Sequence, residues 1–267
     1  MPQNLNGTRT LVTIAALLLA AGATLLLVLV LHSSSTGKTT TRSAAAPAGP
    51  NQPPHTRRSY RLTDAKTAHW AVVVRRVRAF SEPSATARLV TTLPTMTGDG
   101  TQNIVLVLGA VVTGSHGLWY RVRLAILPNN SIAWVPQGAL GTLYSVDTHL
   151  YVDLAGTTAT LKRKGVTIFT TAIGVGRSAS PTPRGQFYVR DKLNGFHDPF
   201  YGPVAFGTSA RSAVLTDWPG GGYIGVHGTD QPRILPGRVS HGCIRMRNAS
   251  ILTLARLMPV GTPVTIS

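Results

Sequence analysis

Cysteine is nearly absent from this chain: Cys243 is the only one in 267 residues. An internal disulfide is therefore excluded, and so is any Cys-x-x-Cys metal or redox pair. Acidic side chains are also scarce, nine against 26 Lys and Arg, which leaves a formal net charge of +17. The excess is spread along the chain, and no block of five or more like charges occurs. A basic stripe interleaved with aromatics is missing too, so nothing specific points to nucleic acid. What the balance favours is attraction to a polyanionic neighbour such as anionic lipid or an anionic cell wall.

Against this background one long apolar run stands out, "LVTIAALLLAAGATLLLVLVL" from Leu11 to Leu31, without a charge. At about 1.5 Å rise per residue it is long enough for a hydrocarbon core about 30 Å thick. It exceeds the apolar region of a cleaved signal, and the nearest small-x-small site, Ala44-Ala45-Ala46, lies well beyond its end. The reading is an uncleaved transmembrane signal anchor at 11–31, with residues 1–10 cytoplasmic and a cleaved secretory signal as the alternative. Cations are balanced across the span, so charge alone does not set its orientation. "SSSTGKTTTRSAAAPAGPNQPP" (Ser33 to Pro54) is too poor in apolar bulk to offset its ordering entropy. It is read as a disordered linker covering 32–66.

Residues 67–141 read as short strands. "LWYRVRL" (Leu118 to Leu124) alternates, and "PNNSIAWVP" supplies a turn and a strand. Together they argue for a small β-barrel, with Trp119 and Trp134 in its core. From Thr142 onward the chain reads as mainly β, with Gly-containing turns and one helix after the cysteine. That helix has Asn248 as N-cap, an apolar face at Ile251, Leu252, Leu254, Ala255 and Met258, and Pro259 and Gly261 as its stop. "TPVTI" closes as a final strand.

The chemistry concentrates in "RVSHGCIRMRN" (Arg238 to Asn248), with "GVHG" shortly before it. His227, His241 and Cys243 lie among Gly225, Gly228 and Gly242. Zinc wants three or four ligands at recognisable spacing, and this window supplies three at most with none of the usual spacings, so no metal or cofactor is expected. A buried core thiol is the plain alternative. Against it stand the flanking glycines, which let backbone approach a substrate and converge N–H groups on an oxyanion. A nucleophilic Cys needs a base that can hold it as thiolate. His241, two residues away, and His227, sixteen residues upstream, both qualify, and spacing does not choose between them.

The stretch "HGTDQPRILPGRVSHGCIRM" (His227 to Met246) resembles the signature of the L,D-transpeptidase catalytic domain family. "SPTPRGQFYV" (Ser180 to Val189) resembles the Thr-Pro-x-Gly-x-Phe segment of that family, and the likeness covers Thr142 to the C-terminus. "GLWYRVRL…NSIAWVPQGAL" resembles the end of bacterial SH3-like domains. These resemblances imply an L,D-transpeptidase-type β-sandwich at 142–267, preceded by an SH3-like barrel at 67–141. They also imply an enzyme of peptidoglycan. Cys243 would attack the L-centre to D-Ala bond of a tetrapeptide stem, release D-Ala and pass the acyl group to a second stem as a 3→3 crosslink. Water as acceptor would make it an L,D-carboxypeptidase, and a non-catalytic wall-binding protein is the reading from another class. His227 would be the base, oriented by the Gly228 carbonyl. His241, Gly242 and Cys243 would form the oxyanion hole, and Arg245 and Ser240 would meet substrate. The anchor would face its domains outward, and carbapenems would acylate Cys243.

Overall fold

A computed structural model describes residues 58–114, 117–194, 198–215 and 221–267. The expected anchor at Leu11–Leu31 and most of the linker lie outside them. Among the described residues no helix is long and apolar enough to cross a membrane.

Two sheets make up one compact unit. The first holds β1 (Arg58–Arg61), β2 (Ala68–Val72), β3 (Val77–Phe80), β4 (Leu89–Leu93), β5 (Ile104–Thr113), β6 (Gly117–Arg123), β7 (Ile132–Pro136) and β8 (Tyr144–Val146). They are ordered β4-β3-β7-β6-β5-β2-β8, with β1 paired to β5. Period-2 alternation puts Tyr120, Val122, Ala133 and Val135 into its core, while Trp119 joins Phe80 and Val111 in a second cluster. Two boundaries differ from the sequence expectation. Arg58–Arg61, assigned to the linker, is strand β1, in antiparallel register with β5. Its sequence carries no strand signal, because all four residues are exposed and lack an apolar alternation. Gly109 makes this docking possible, since any Cβ there would stand 2.7 Å from the Tyr60 carbonyl oxygen. The second boundary falls after Val146 rather than at 141, because β8 pairs with β2.

The second sheet holds β9 (Thr148–Asp153), β10 (Thr158–Arg163), β11 (Val166–Ala172), β12 (Gly174–Gly176), β13 (Gly185–Asn194), β14 (Val204–Arg211), β15 (Tyr223–His227), β16 (Gly237–Ser240), β17 (Ile244–Arg245) and β18 (Pro263–Ile266). Its order is β11-β10-β9-β18-β13-β14-β15-β17-β12-β16. Strand β13 joins two halves: Gly185–Tyr188 pairs β18, and Val189–Asn194 pairs β14. Residues from both halves share one apolar core with α1 (Asn248–Leu257). The helix buries Ile251 and Leu254 as expected, but Leu252 is exposed. Asn248 is not its cap: Arg247 holds that position without a side-chain cap bond, and Asn248 opens the helix with its side chain engaged elsewhere.

The two sheets meet over Tyr188, which is buried with Ala68, Ile104, Leu106 and Val146. Its hydroxyl donates to the Ile104 carbonyl at 3.0 Å. Asn129, in the β6–β7 turn, donates to the Arg211 carbonyl at 2.7 Å and accepts from Arg211 N–H at 2.9 Å.

Candidate active site

Strand pairing brings the reactive groups together. β15 and β17 run parallel, with Val226 opposite Ile244 and His227 opposite Arg245. Alternation along β15 turns Ile224 and Val226 into the core and leaves Gly225 and His227 on the other face. Cys243, just before β17, therefore comes beside Gly225, whose N–H donates to Sγ at 3.4 Å. A Cβ on Gly225 would touch both partners, at 3.8 Å from His227 Cδ2 and 3.9 Å from Cys243 Sγ. Glycine there keeps the gap between thiol and imidazole open.

His227 is only 1% exposed. Its Nδ1 lies 2.6 Å from the Gly228 carbonyl oxygen. A carbonyl can only accept, so the proton sits on Nδ1 and Nε2 is left with its lone pair. That Nε2 is buried and has no hydrogen-bond partner among the described residues. An unpartnered basic nitrogen beside a thiol is a candidate proton acceptor. Burial is the largest influence on both groups: it pushes the His227 imidazolium down to about 4 and the Cys243 thiol up from its ordinary value. Burial thus favours the neutral form of each group at rest, so the proton moves from thiol to imidazole as attack begins rather than beforehand. Acylation of Cys243 is accordingly expected to hold level as pH falls from 7 to 5 and to be lost only as His227 takes up its proton near pH 4. A stopped-flow pH profile reads this, and an acid limb near the ordinary imidazole value of about 6.5 would contradict it.

The turn before Cys243 is built from its own side chains. Gly242 has φ +120, a left-handed conformation suited to glycine. Ser240 is fully buried; its hydroxyl donates to the Cys243 carbonyl at 2.6 Å and accepts from Gly242 N–H at 3.1 Å. Ser240 is therefore a turn residue rather than a substrate contact, and Gly242 N–H is directed away from an oxyanion role. Thr182, in the segment before β13, ties this turn down by donating to the Gly242 carbonyl at 2.7 Å and accepting from Gly176 N–H at 2.8 Å. His241 is exposed at the rim of the cleft, with Cys243, His227 and Arg245 inside it.

Several contributors carried no sequence signal. The short 3-10 turn Pro199–Tyr201, capped by Asp198, places Phe200 and Tyr201 over the site. Tyr201 lies 5.0 Å from the His227 ring, centroid to centroid, and Phe200 lies 4.2 Å from the Arg245 guanidinium. Arg245, 4% exposed, is thus held against an aromatic face rather than in an ion pair. Asn248 accepts from Thr229 N–H at 2.9 Å and presses on the Gly202–Gly228 contact, where a Cβ on Gly202 would stand 2.6 Å from Gly228 Cα. It fixes the turn whose carbonyl orients His227. Asn248→Ala leaves that N–H unpaired and is expected to cost about 1–3 kcal/mol in thermal unfolding and to slow acylation about tenfold. Asn248→Asp keeps the acceptor and is expected to lose much less.

Among the described residues no group of three or more His, Cys, Asp or Glu could hold a metal ion. A base on β15 and a thiol just before the parallel strand β17, reached through an aromatic-lined cleft, define a cysteine-based site on a mainly β scaffold. Residues 147–266 match the YkuD L,D-transpeptidase catalytic domain. The "Putative L,D-transpeptidase YkuD" of Bacillus subtilis (strain 168) is 32% identical over 124 residues, 46% of this chain and 68% of that protein. Its Bacillus licheniformis namesake is 32% identical over 123 residues, 46% and 67% of the two chains. The solved Ldtfm-avibactam carbamoyl enzyme is 27% identical, with a TM-score of 0.36, over 45% of this chain and 49% of that one. This chain thus spans about two thirds of those curated relatives and about half of that solved chain. It belongs to the L,D-transpeptidase catalytic domain family.

Proposed function

We propose that the chain is an L,D-transpeptidase of bacterial peptidoglycan that works through a Cys243 thioester. The buried, unpartnered Nε2 of His227, its tautomer fixed by the Gly228 carbonyl, in the same cleft as Cys243, carries this reading. As Sγ attacks the carbonyl between the third-position L-centre and the terminal D-Ala, Nε2 takes the thiol proton. The oxyanion forms at the His241–Cys243 turn and is met by Cys243 N–H; that Gly242 N–H is held by Ser240 supports this choice of donor. Collapse passes the proton to the departing amine of D-Ala and leaves the thioester. A side-chain amine of a second stem then attacks, His227 takes its proton, and the thiolate leaves and is reprotonated. A 3→3 crosslink results.

Imidazolium forms only during each attack, in a site that otherwise disfavours it. The Gly228 carbonyl stabilises it. The N-terminal sheet, in this reading, is an SH3-like module, and Leu11–Leu31 anchors the chain with its folded part outside the cytoplasmic membrane. The basic balance suits an anionic wall. Incubation with a carbapenem followed by peptide mass spectrometry is expected to find the adduct on Cys243. A folded protein without an adduct would remove the basis for the reading.

A further inference from the structure

Between the N-terminal sheet and β13–β15 lies a cavity of about 130 Å³ that is separate from the nucleophile. Thr91, Thr97 and Asn103 form one side, and Arg190 and Tyr223 the other. Tyr223 also lines the cleft that holds Cys243, so its ring is the wall shared by the two spaces. Its hydroxyl donates to the Ala125 carbonyl at 3.0 Å, which fixes the ring against the β6–β7 turn.

Arg190 is the unusual member. The pairing of β13 with β14 slips between Val189 and Asp191, so Arg190 sits at a bulge and turns toward the junction of the sheets. It is 4% exposed, yet Nε and Nη1 have no hydrogen-bond partner among the described residues. Its guanidinium lies 4.0 Å from the Tyr223 ring centroid, and that of Arg211 lies 4.8 Å from the same ring. Among the described residues no carboxylate comes within ion-pair distance of either, although the Arg190 charge acts on the neighbouring, buried Asp191. Asp191 directs Oδ1 to Gly207 N–H at 2.9 Å, and the only ion pair among the described residues joins Arg163 to Asp147. A guanidinium buried without an ion pair is costly to hold, and a local cost of this kind is expected at functional or strained sites. Arginine presents two parallel N–H donors to a carboxylate. The space has room for such a group.

We infer that this cavity is a carboxylate-binding subsite, filled by a carboxylate of the same stem peptide whose scissile bond lies across Tyr223 at Cys243. The inference rests on the proposed transpeptidase reading. The test uses the full-length chain carrying Cys243→Ser, so that binding is read without turnover. Two synthetic tetrapeptide stems are titrated calorimetrically, one with its carboxylates free and one with all of them amidated. With Arg190 present, the free acid is expected to bind about 10- to 100-fold more tightly. Arg190→Met is expected to erase that preference, with Arg190→Lys falling between. Because an unpaired buried charge is removed, Arg190→Met is also expected to melt at or above the parent temperature.

Any of the following outcomes would overturn the subsite. One is an Arg190→Met protein that keeps the preference. Another is a markedly lower melting temperature, which would make Arg190 a structural residue. The last is inorganic phosphate displacing the peptide at equal strength, which would mark an unselective anion hole. Absence of any peptide binding also ends it. Carbapenem adduct formation on Cys243 in Arg190→Met with an intact thiol separates that result from failure of the transpeptidase reading, because a small β-lactam does not need the subsite.

Discussion

Cys243→Ala is expected to abolish acyl transfer, by a factor of at least about 10⁴, with little change in melting temperature. The expectation follows from what else the cleft contains. Ser240 has its hydroxyl bound to the Cys243 carbonyl and to Gly242 N–H, and Ser212 accepts from Val214 and Leu215 N–H. Neither faces a base, so neither can replace the thiol. Cys243→Ser keeps the shape of the site but offers a hydroxyl, whose proton a buried imidazole removes far less readily. It should still bind substrate. Adduct mass and release of D-Ala from a tetrapeptide stem check both variants. Residual turnover near the parent rate in Cys243→Ala would place the chemistry elsewhere.

His227→Gln is expected to slow acylation by about 10²- to 10⁴-fold, the usual contribution of a positioned general base. His241→Gln is expected to slow it less than about tenfold. The contrast is geometric. His227 has one nitrogen committed to the Gly228 carbonyl and the other buried and unpartnered among the described residues, in the cleft that Cys243 also lines. His241 is exposed, at the rim. Its closeness in sequence to the cysteine gives it no comparable position, because Gly242, at φ +120, turns the chain between them. Time-resolved mass spectrometry of the carbapenem adduct measures both rates. Equal losses would overturn the assignment of the base.

How far the sequence revealed this site depends on the range over which each residue acts. The cysteine turn was legible because its parts are neighbours: Ser240, Gly242 and Cys243 are joined by bonds spanning two or three residues. The core strands were legible through alternation, as in β6. Asn248 was misread because an Asn ahead of an apolar run has the local pattern of an N-cap, whereas its real partner, Thr229, is nineteen residues away. Phe200 and Tyr201 could not be found by periodicity, since they sit in a short turn and act through rings on β15 and β17. Nothing in the local sequence marks Arg190 as buried. Only the bulge at β13 and the meeting of the two sheets bury it. Spacing alone did not choose between His227 and His241; the family resemblance pointed to His227, and the parallel register of β15 and β17 supports that reading.

Incubating the full-length chain with tetrapeptide-containing peptidoglycan, and weighing the resulting muropeptides, tests the central claim most directly. Transpeptidation predicts dimers joined between third-position residues, one D-Ala lighter than the two starting stems together, formed by the parent and absent with Cys243→Ala. Tripeptide monomers without dimers would mean that water, not a second stem, resolves the thioester. Muropeptides unchanged by a folded protein whose Cys243 is intact would contradict the transpeptidase account outright.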